Sequence, residues 1–212
     1  MVAVLALDAV LRDARVWRGH ALPASTTDIA LQPTGHAPLD AVLPGGGWPT
    51  AALSELLLAS DGIGELSLLW PTLARLTANH ETVALIAPPY LPYPGAWQAA
   101  GIVLARLPVI AVHEPREALW AAEQTLRAGC CAAVVCWLAS VNDRALRRLT
   151  VAAAAGRTLG FVLRPQTAAA NASPAALRIA VDARPSRLRV LKCRGGLPPA
   201  ASLPLPLSFA RH

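Results

Sequence analysis

"LLLASDGIGELSLL", residues 56–69, lies between an apolar run and a helical pattern, the place where an α/β chain carries a phosphate-binding loop. Such a loop works because glycine lets backbone N–H groups converge on an anion, a lysine neutralises the phosphates, and a Ser or Thr binds Mg²⁺. Laid on the GxxxxGK[ST] signature, Ala59, Gly64, Glu65 and Leu66 take the defining places, with Asp61 and Gly62 between them. Only the second glycine survives. Glu65 sets a carboxylate where lysine belongs, Leu66 cannot bind a metal, and Asp61 adds a second negative charge to the turn. The stretch is therefore expected to bind no ATP, and no cofactor or metal is expected.

Outward from this loop the chain alternates. "AALSELLL" (51–58) before it reads as a strand, and 65–78 after it as a helix with Leu66, Leu69, Leu73 and Leu76 on one side. "TVALIA" (82–87), "RLPVIAV" (106–112), "CAAVVCWL" (131–138) and "TLGFVLR" (158–164) read as further strands. Helices are expected near 95–101, over 115–129, which opens with Pro and closes with Gly, and from Asn142 to Ala155 with Gly156 as its stop. Nearly continuous apolar strands between helices predict an α/β fold, a mostly parallel sheet with helices on both faces. "ALRIAVDARPSRLRVLKC" (176–193) alternates with period two around a Pro-Ser turn and predicts a C-terminal β-hairpin. Upstream, residues 3–17 place Leu7, Leu11, Ala14 and Trp17 at helical spacing, an amphipathic N-terminal helix. The expected organisation is a helix and linker (1–37), a core (38–165), a basic hairpin segment (166–197) and a Pro-rich tail (198–212).

Composition narrows the class. Of 212 residues 54% are hydrophobic and 15% charged, which excludes long disordered charged blocks. No clean run of about 20 apolar residues offers a membrane span. The start lacks a basic region and has Asp8 inside its apolar run, so no secretory signal and a cytoplasmic location are expected. Cys130, Cys131, Cys136 and Cys193 show no CxxC pairing and read as buried thiols. The net charge of +6 is unevenly placed: residues 1–174 balance twelve basic against twelve acidic residues, while 175–212 set seven basic residues against Asp182. All but one of these seven lie in the hairpin segment, Arg178, Arg184, Arg187, Arg189, Lys192 and Arg194, the seventh being Arg211 in the tail. That asymmetry fits nucleic acid or an acidic protein surface as partner, or a solvated hairpin.

"TGHAPLDAVLPGGGWPTAALSELL" (34–57) resembles the opening of the RecA ATPase core. In RecA-type proteins a catalytic glutamate follows the second strand, where this chain has Pro88-Pro89, and a magnesium-associated aspartate ends a later strand, where it has Cys136-Trp137. The resemblance implies a RecA-like scaffold without ATPase chemistry and no enzyme activity. "LPGGGWP" (43–49), "ELLLASDGIGELSLLWPTLARL" (55–76), "ALIAPPYLPYPGAW" (84–97), "ALWAAEQTLRAGCCAAVVCWL" (118–138), "GFVLRP" (160–165) and "LRVLKCRGG" (188–196) resemble the ImuA family of SOS-induced translesion-synthesis accessory proteins. The part from Glu55 to Pro165 also resembles SulA, the cell-division inhibitor. The first resemblance implies binding of RecA, an ImuB-like inactive Y-family polymerase homologue and an error-prone replicative-type polymerase, and the basic hairpin segment leaves single-stranded DNA open as a further partner. The second implies the division GTPase FtsZ as partner.

Other residues yield less. His113 and Glu114 stand where a strand gives way to a helix and are expected to cap it at Pro115. Trp120 and Trp137 are expected in the core, whereas Trp48 and Trp97 lie in Gly/Pro-rich loops and suit either loop packing or a contact surface. Arg144, Arg147 and Arg148 share one helix, a solvated face or an interface. Leu7, Leu11 and Trp17 need a cover, either the chain's own core or a RecA-like partner.

Overall fold

The structure, a computed structural model, describes residues 32–206. The expected N-terminal helix, with Leu7, Leu11 and Trp17, lies outside them. β1 (Leu53–Leu58) is buried along its whole length. It stands inside an eight-stranded sheet with β2 (Val83–Ile86), β3 (Val109–Ile110), β4 (Ala133–Trp137), β5 (Leu159–Pro165), β6 (Leu177–Ala183), β7 (Ser186–Cys193) and β8 (Leu203–Pro204). The spatial order is β3-β2-β4-β5-β1-β6-β7-β8. Every pairing from β3 to β6 is parallel, and β7 runs antiparallel to both of its neighbours. The expected parallel α/β sheet and C-terminal hairpin are both present, and the tail adds the short β8.

Strand alternation sends two sets of side chains to two cores. Leu56, Leu58, Phe161 and Leu163 face α2 (Trp70–Ala78) and α3 (Pro94–Ala99), together with the turn of α1 (Ala37–Asp40). Leu53, Ala84, Ile86 and Val162 face α4 (Pro115–Ala128) and α5 (Asp143–Gly156). Fully buried leucines such as Leu56, Leu73 and Leu85 each contribute about 2 kcal/mol. Trp48 and Trp97 are packed inside, each 3% exposed. Trp48 donates to the Thr72 hydroxyl at 2.9 Å and meets Phe161 edge-on.

Four local expectations are corrected. The helix at 65–78 is two pieces, a 3₁₀ turn Glu65–Leu68 and α2, because Pro71 has no N–H to continue the ladder and instead sits in the first turn of α2. The strand expected over 106–112 shrinks to Val109–Ile110 at the sheet edge. Trp120 is 64% exposed, since α4 buries the small face of Ala118, Ala121 and Ala122 with Leu126. Gly156 lies within α5 and Arg157 takes the left-handed cap, at φ 52°. A Cβ at Gly156 would stand 1.9 Å from the Leu126 carbonyl oxygen, so this glycine permits the close approach of α4 and α5.

Candidate functional site

Open parallel sheets bind ligands outside the carboxyl ends of their strands, and the residues of interest collect at that end here. The loop leaving β1 has the turn that its glycines predict, with Gly64 left-handed at φ 94°. Glu65 is 5% exposed and folds back on the loop, its Oε1 accepting the Gly62 N–H at 3.3 Å. Among the described residues Oε2 has no hydrogen-bond partner. The Ser67 hydroxyl lies against the carbonyls of Gly64 and Pro206, so the chain beyond β8 is tied to the same turn. An internal carboxylate thus takes one of the backbone donors that a phosphate would use. Beside the loop a cleft of about 340 Å³ is bordered by Asp61, Pro89, Trp137 and Arg164. Ala59 and Leu66 supply no polar group to it.

One strand away the charge reverses. Glu55 in mid-β1 is fully buried; its Oε1 accepts from Arg164 Nη1 at 2.6 Å and its Oε2 from Arg178 Nε at 2.7 Å. Glu55 pairs in register with Val162 of β5 and with Arg178 of β6, and period two carries Arg164 to the same sheet face. The remaining guanidinium donors reach carbonyls: Arg164 Nη2 donates to Val141, and Arg178 donates to Ala168 and Asn171. The 3₁₀ turn Gln166–Ala170 lies over this part of the sheet in place of a helix. Sequence reading passed over this triad. Its signal is one charge in each of three apolar strands, "LSELLL", "LGFVLR" and "LRIAV", since buried charges require partners.

The basic hairpin is divided by the structure. Arg178 is buried, 7% exposed, and does not belong to a contact surface because β6 turns it onto Glu55. Arg189 pairs with Asp182 at 2.9 Å, Lys192 donates to the Ser173 carbonyl at 2.7 Å, and Arg187 to the Ser202 hydroxyl at 2.8 Å. Arg184 and Arg194 are exposed. The Asp182 carboxyl is held below its ordinary pKa by the Arg189 hydrogen bond, with Gln166 assisting, and Lys192 is lowered by burial and by Arg194 and Arg178. Glu114 does precede α4, but no side-chain cap bond forms there, and its backbone carbonyl accepts from Ala118. Arg147 and Arg148 are engaged by Asp143 and Glu123. Cys130 is exposed, against expectation; Cys131, Cys136 and Cys193 are buried, and burial pushes the Cys136 thiol up to about 12.

The segment that follows β2 behaves oppositely to the loop after β1. Tyr90, Leu91 and Tyr93 stand 72%, 88% and 75% exposed between Pro88, Pro89, Pro92 and Pro94. Large apolar side chains held in the open by a stiff backbone suit a contact surface, since little conformational freedom remains to be lost on binding. The sequence carries a signal for this in "PPYLPYP" (88–94), where apolar and aromatic residues alternate with prolines.

The family model for the cell division inhibitor SulA matches residues 52–160, from the start of β1 into β5. The chain belongs to the SulA family. The cell division inhibitor SulA of Edwardsiella piscicida is 34% identical over 102 residues, which is 48% of this chain and 61% of that protein. The chain thus spans less than two thirds of the length of this curated relative. A crystal structure of SulA from Pseudomonas aeruginosa is similar at 30% identity and a TM-score of 0.47, covering 55% of this chain and 99% of that one. Of the two families that the sequence resembles, the family model shows SulA. The SulA-matched segment contains the degenerate loop, the exposed Tyr90–Tyr93 segment and Glu55, and it ends before Arg164 and the hairpin. Among the described residues no helix is long and apolar enough to cross a membrane, and no group of three potential metal ligands is found.

Proposed function

We propose that this chain is a non-catalytic SulA-type inhibitor of cell division, acting in the cytoplasm during the SOS response by binding FtsZ, with the Tyr90–Leu91–Tyr93 segment as its docking surface. The observation that carries the reading is that exposed segment, inside the part of the chain that matches the family. The loop after β1 supports a binding protein over an enzyme, because its carboxylates oppose a nucleotide at the position where a RecA-type core would hold one. Light scattering of GTP-driven FtsZ assembly tests it. The full chain is expected to suppress assembly, and Leu91→Asp with Tyr93→Ala to lose at least tenfold in potency with an unchanged thermal midpoint, as loss of hot-spot side chains does. Unchanged assembly, or full potency in the double variant, overturns the reading.

A second reading, an ImuA-type accessory of translesion synthesis built on a RecA-like core, draws on β6, β7 and β8, which lie outside the SulA match. Capture of purified RecA or of an ImuB-like polymerase homologue by the full chain, lost when Arg184 and Arg194 are both changed to Glu, is the result that reading requires. The polymerase partners and single-stranded DNA stand or fall with the same experiment.

A further inference from the structure

We propose that the outer end of β5 is an oxyanion site that takes a phosphate group, separate from the degenerate loop after β1. Three observations meet there. First, Glu55 serves two guanidinium groups, so the buried triad holds one positive charge in excess, and an uncompensated charge away from water is costly. Second, Arg164 is only 4% exposed and among the described residues its Nε–H has no acceptor, although its other nitrogens reach Glu55 and the Val141 carbonyl. Third, Arg164 borders both the smaller cleft beside Asp61 and an open cleft of about 610 Å³, whose wall includes Ser140, Asn142, Thr167 and Asn171.

That larger cleft also meets the start of α5. The Asn142 side chain accepts the Ala145 N–H at 2.9 Å and its carbonyl accepts from Leu146, which leaves the amides of Asp143 and Arg144 without intrahelical partners. Helix amides at such a start favour an anion, and scattered single donors suit the several acceptor oxygens of phosphate. The acidic groups nearby are restrained: Asp143 is engaged by Arg147 at 2.8 Å, Asp182 by Arg189, and Asp61 borders the smaller cleft and not the larger. The phosphate is inorganic phosphate or the terminal group of a nucleotide.

Amide and arginine side-chain resonances of the ¹⁵N-labelled full chain, titrated with inorganic phosphate at constant ionic strength, test the site. Saturable movement of Asn142–Ala145 and of the Arg164 Nε–H is expected by roughly 10 mM phosphate, with none for chloride. Ser140→Asp places a carboxylate at an exposed position on the cleft wall and is expected to weaken binding about tenfold or more with an unchanged thermal midpoint. Thr167→Ala is expected to weaken it less, and Glu65→Gln not at all. ADP binding more tightly than phosphate identifies a nucleotide as the source, and equal or weaker binding identifies the free ion. Absence of saturation, equal movement with chloride, or wild-type affinity in Ser140→Asp overturns the proposal.

Discussion

β1 and β5 lie side by side and parallel, and their last residues, Leu58 and Pro165, are in register, yet the two exits are chemical opposites. After β1 the chain presents Asp61 and Glu65 and satisfies one of its own amides with a carboxylate. At the end of β5 it presents Arg164, backed by a triad with surplus positive charge. The crevice that a parallel sheet creates comes from topology, whereas the sign of its field comes from a few side chains. Loop shape alone therefore does not locate an anion site in this fold.

The largest effect that can break this contrast is expected at Glu55. Glu55→Gln leaves two guanidinium groups without a counter-charge inside the sheet face, and removal of one partner from a buried ion cluster costs about 3–5 kcal/mol. Urea unfolding is expected to show that loss, or no folded protein at all. Replacing the whole triad with apolar residues, Glu55→Leu with Arg164→Met and Arg178→Met, is expected to recover most of it, because it is the unpaired charge that destabilises. If Glu55→Gln unfolds with the wild-type midpoint, the arginines are compensated elsewhere and the opposed exits lose their basis.

At the β1 exit the corresponding change is expected to be smaller. Glu65 makes one long hydrogen bond, to Gly62 at 3.3 Å, and leaves an oxygen unpartnered, so Glu65→Gln is expected to shift stability by no more than about 1 kcal/mol. Nor is the charge change enough to restore a nucleotide site. Glu65→Lys is expected to gain no affinity over the wild type for a fluorescent ATP analogue with Mg²⁺, because Leu66, Pro89 and Trp137 still occupy the other functional places. Micromolar binding competed by ATP and kept when Ser140→Asp is added, in either the wild type or this variant, would show that the loop's shape outweighs its charge.

Much of this was legible beforehand, for a physical reason. Strands buried on both faces write themselves as apolar runs, so β1, β2, β4 and β5 follow from "LSELLL", "VALI", "AVVCW" and "LGFVLRP". The hairpin follows from period two. The candidate sites were less legible because they depend on which strands are neighbours. Glu55 is more than one hundred residues from both Arg164 and Arg178 in the chain, and only the order β5-β1-β6 brings them together. Trp120 misled because a helix can bury an alanine stripe as readily as an aromatic when its neighbour carries alanines too, as α5 does with Ala152 and Ala153.

The smallest effect lies on the β6 exit, across β1 from the strand that carries Arg164, where Asp182 accepts from Arg189 at 2.9 Å and from Gln166 at 2.6 Å. These bonds favour the ionised carboxylate, Arg189 foremost, and hold the folded-state pKa below the ordinary aspartate value against the opposing effect of burial. The sign of the pH dependence follows. Below the ordinary aspartate pKa the unfolded chain binds a proton that the folded chain still refuses, so stability increases with pH across that window. The contribution is complete at neutral pH and fades as acid protonates the folded carboxyl. Because the Arg189 side chain is 50% exposed, solvent screens the pair and its contribution is expected to be about 0.5 kcal/mol. Unfolding free energies of the wild type and Asp182→Asn, compared from neutral pH downward, should therefore differ most at neutral pH and converge in acid. A difference that stays constant with pH shows that neither bond distinguishes the ionised from the protonated carboxyl, and the β6 exit then contributes geometry, but no charge, to the basic side of the sheet.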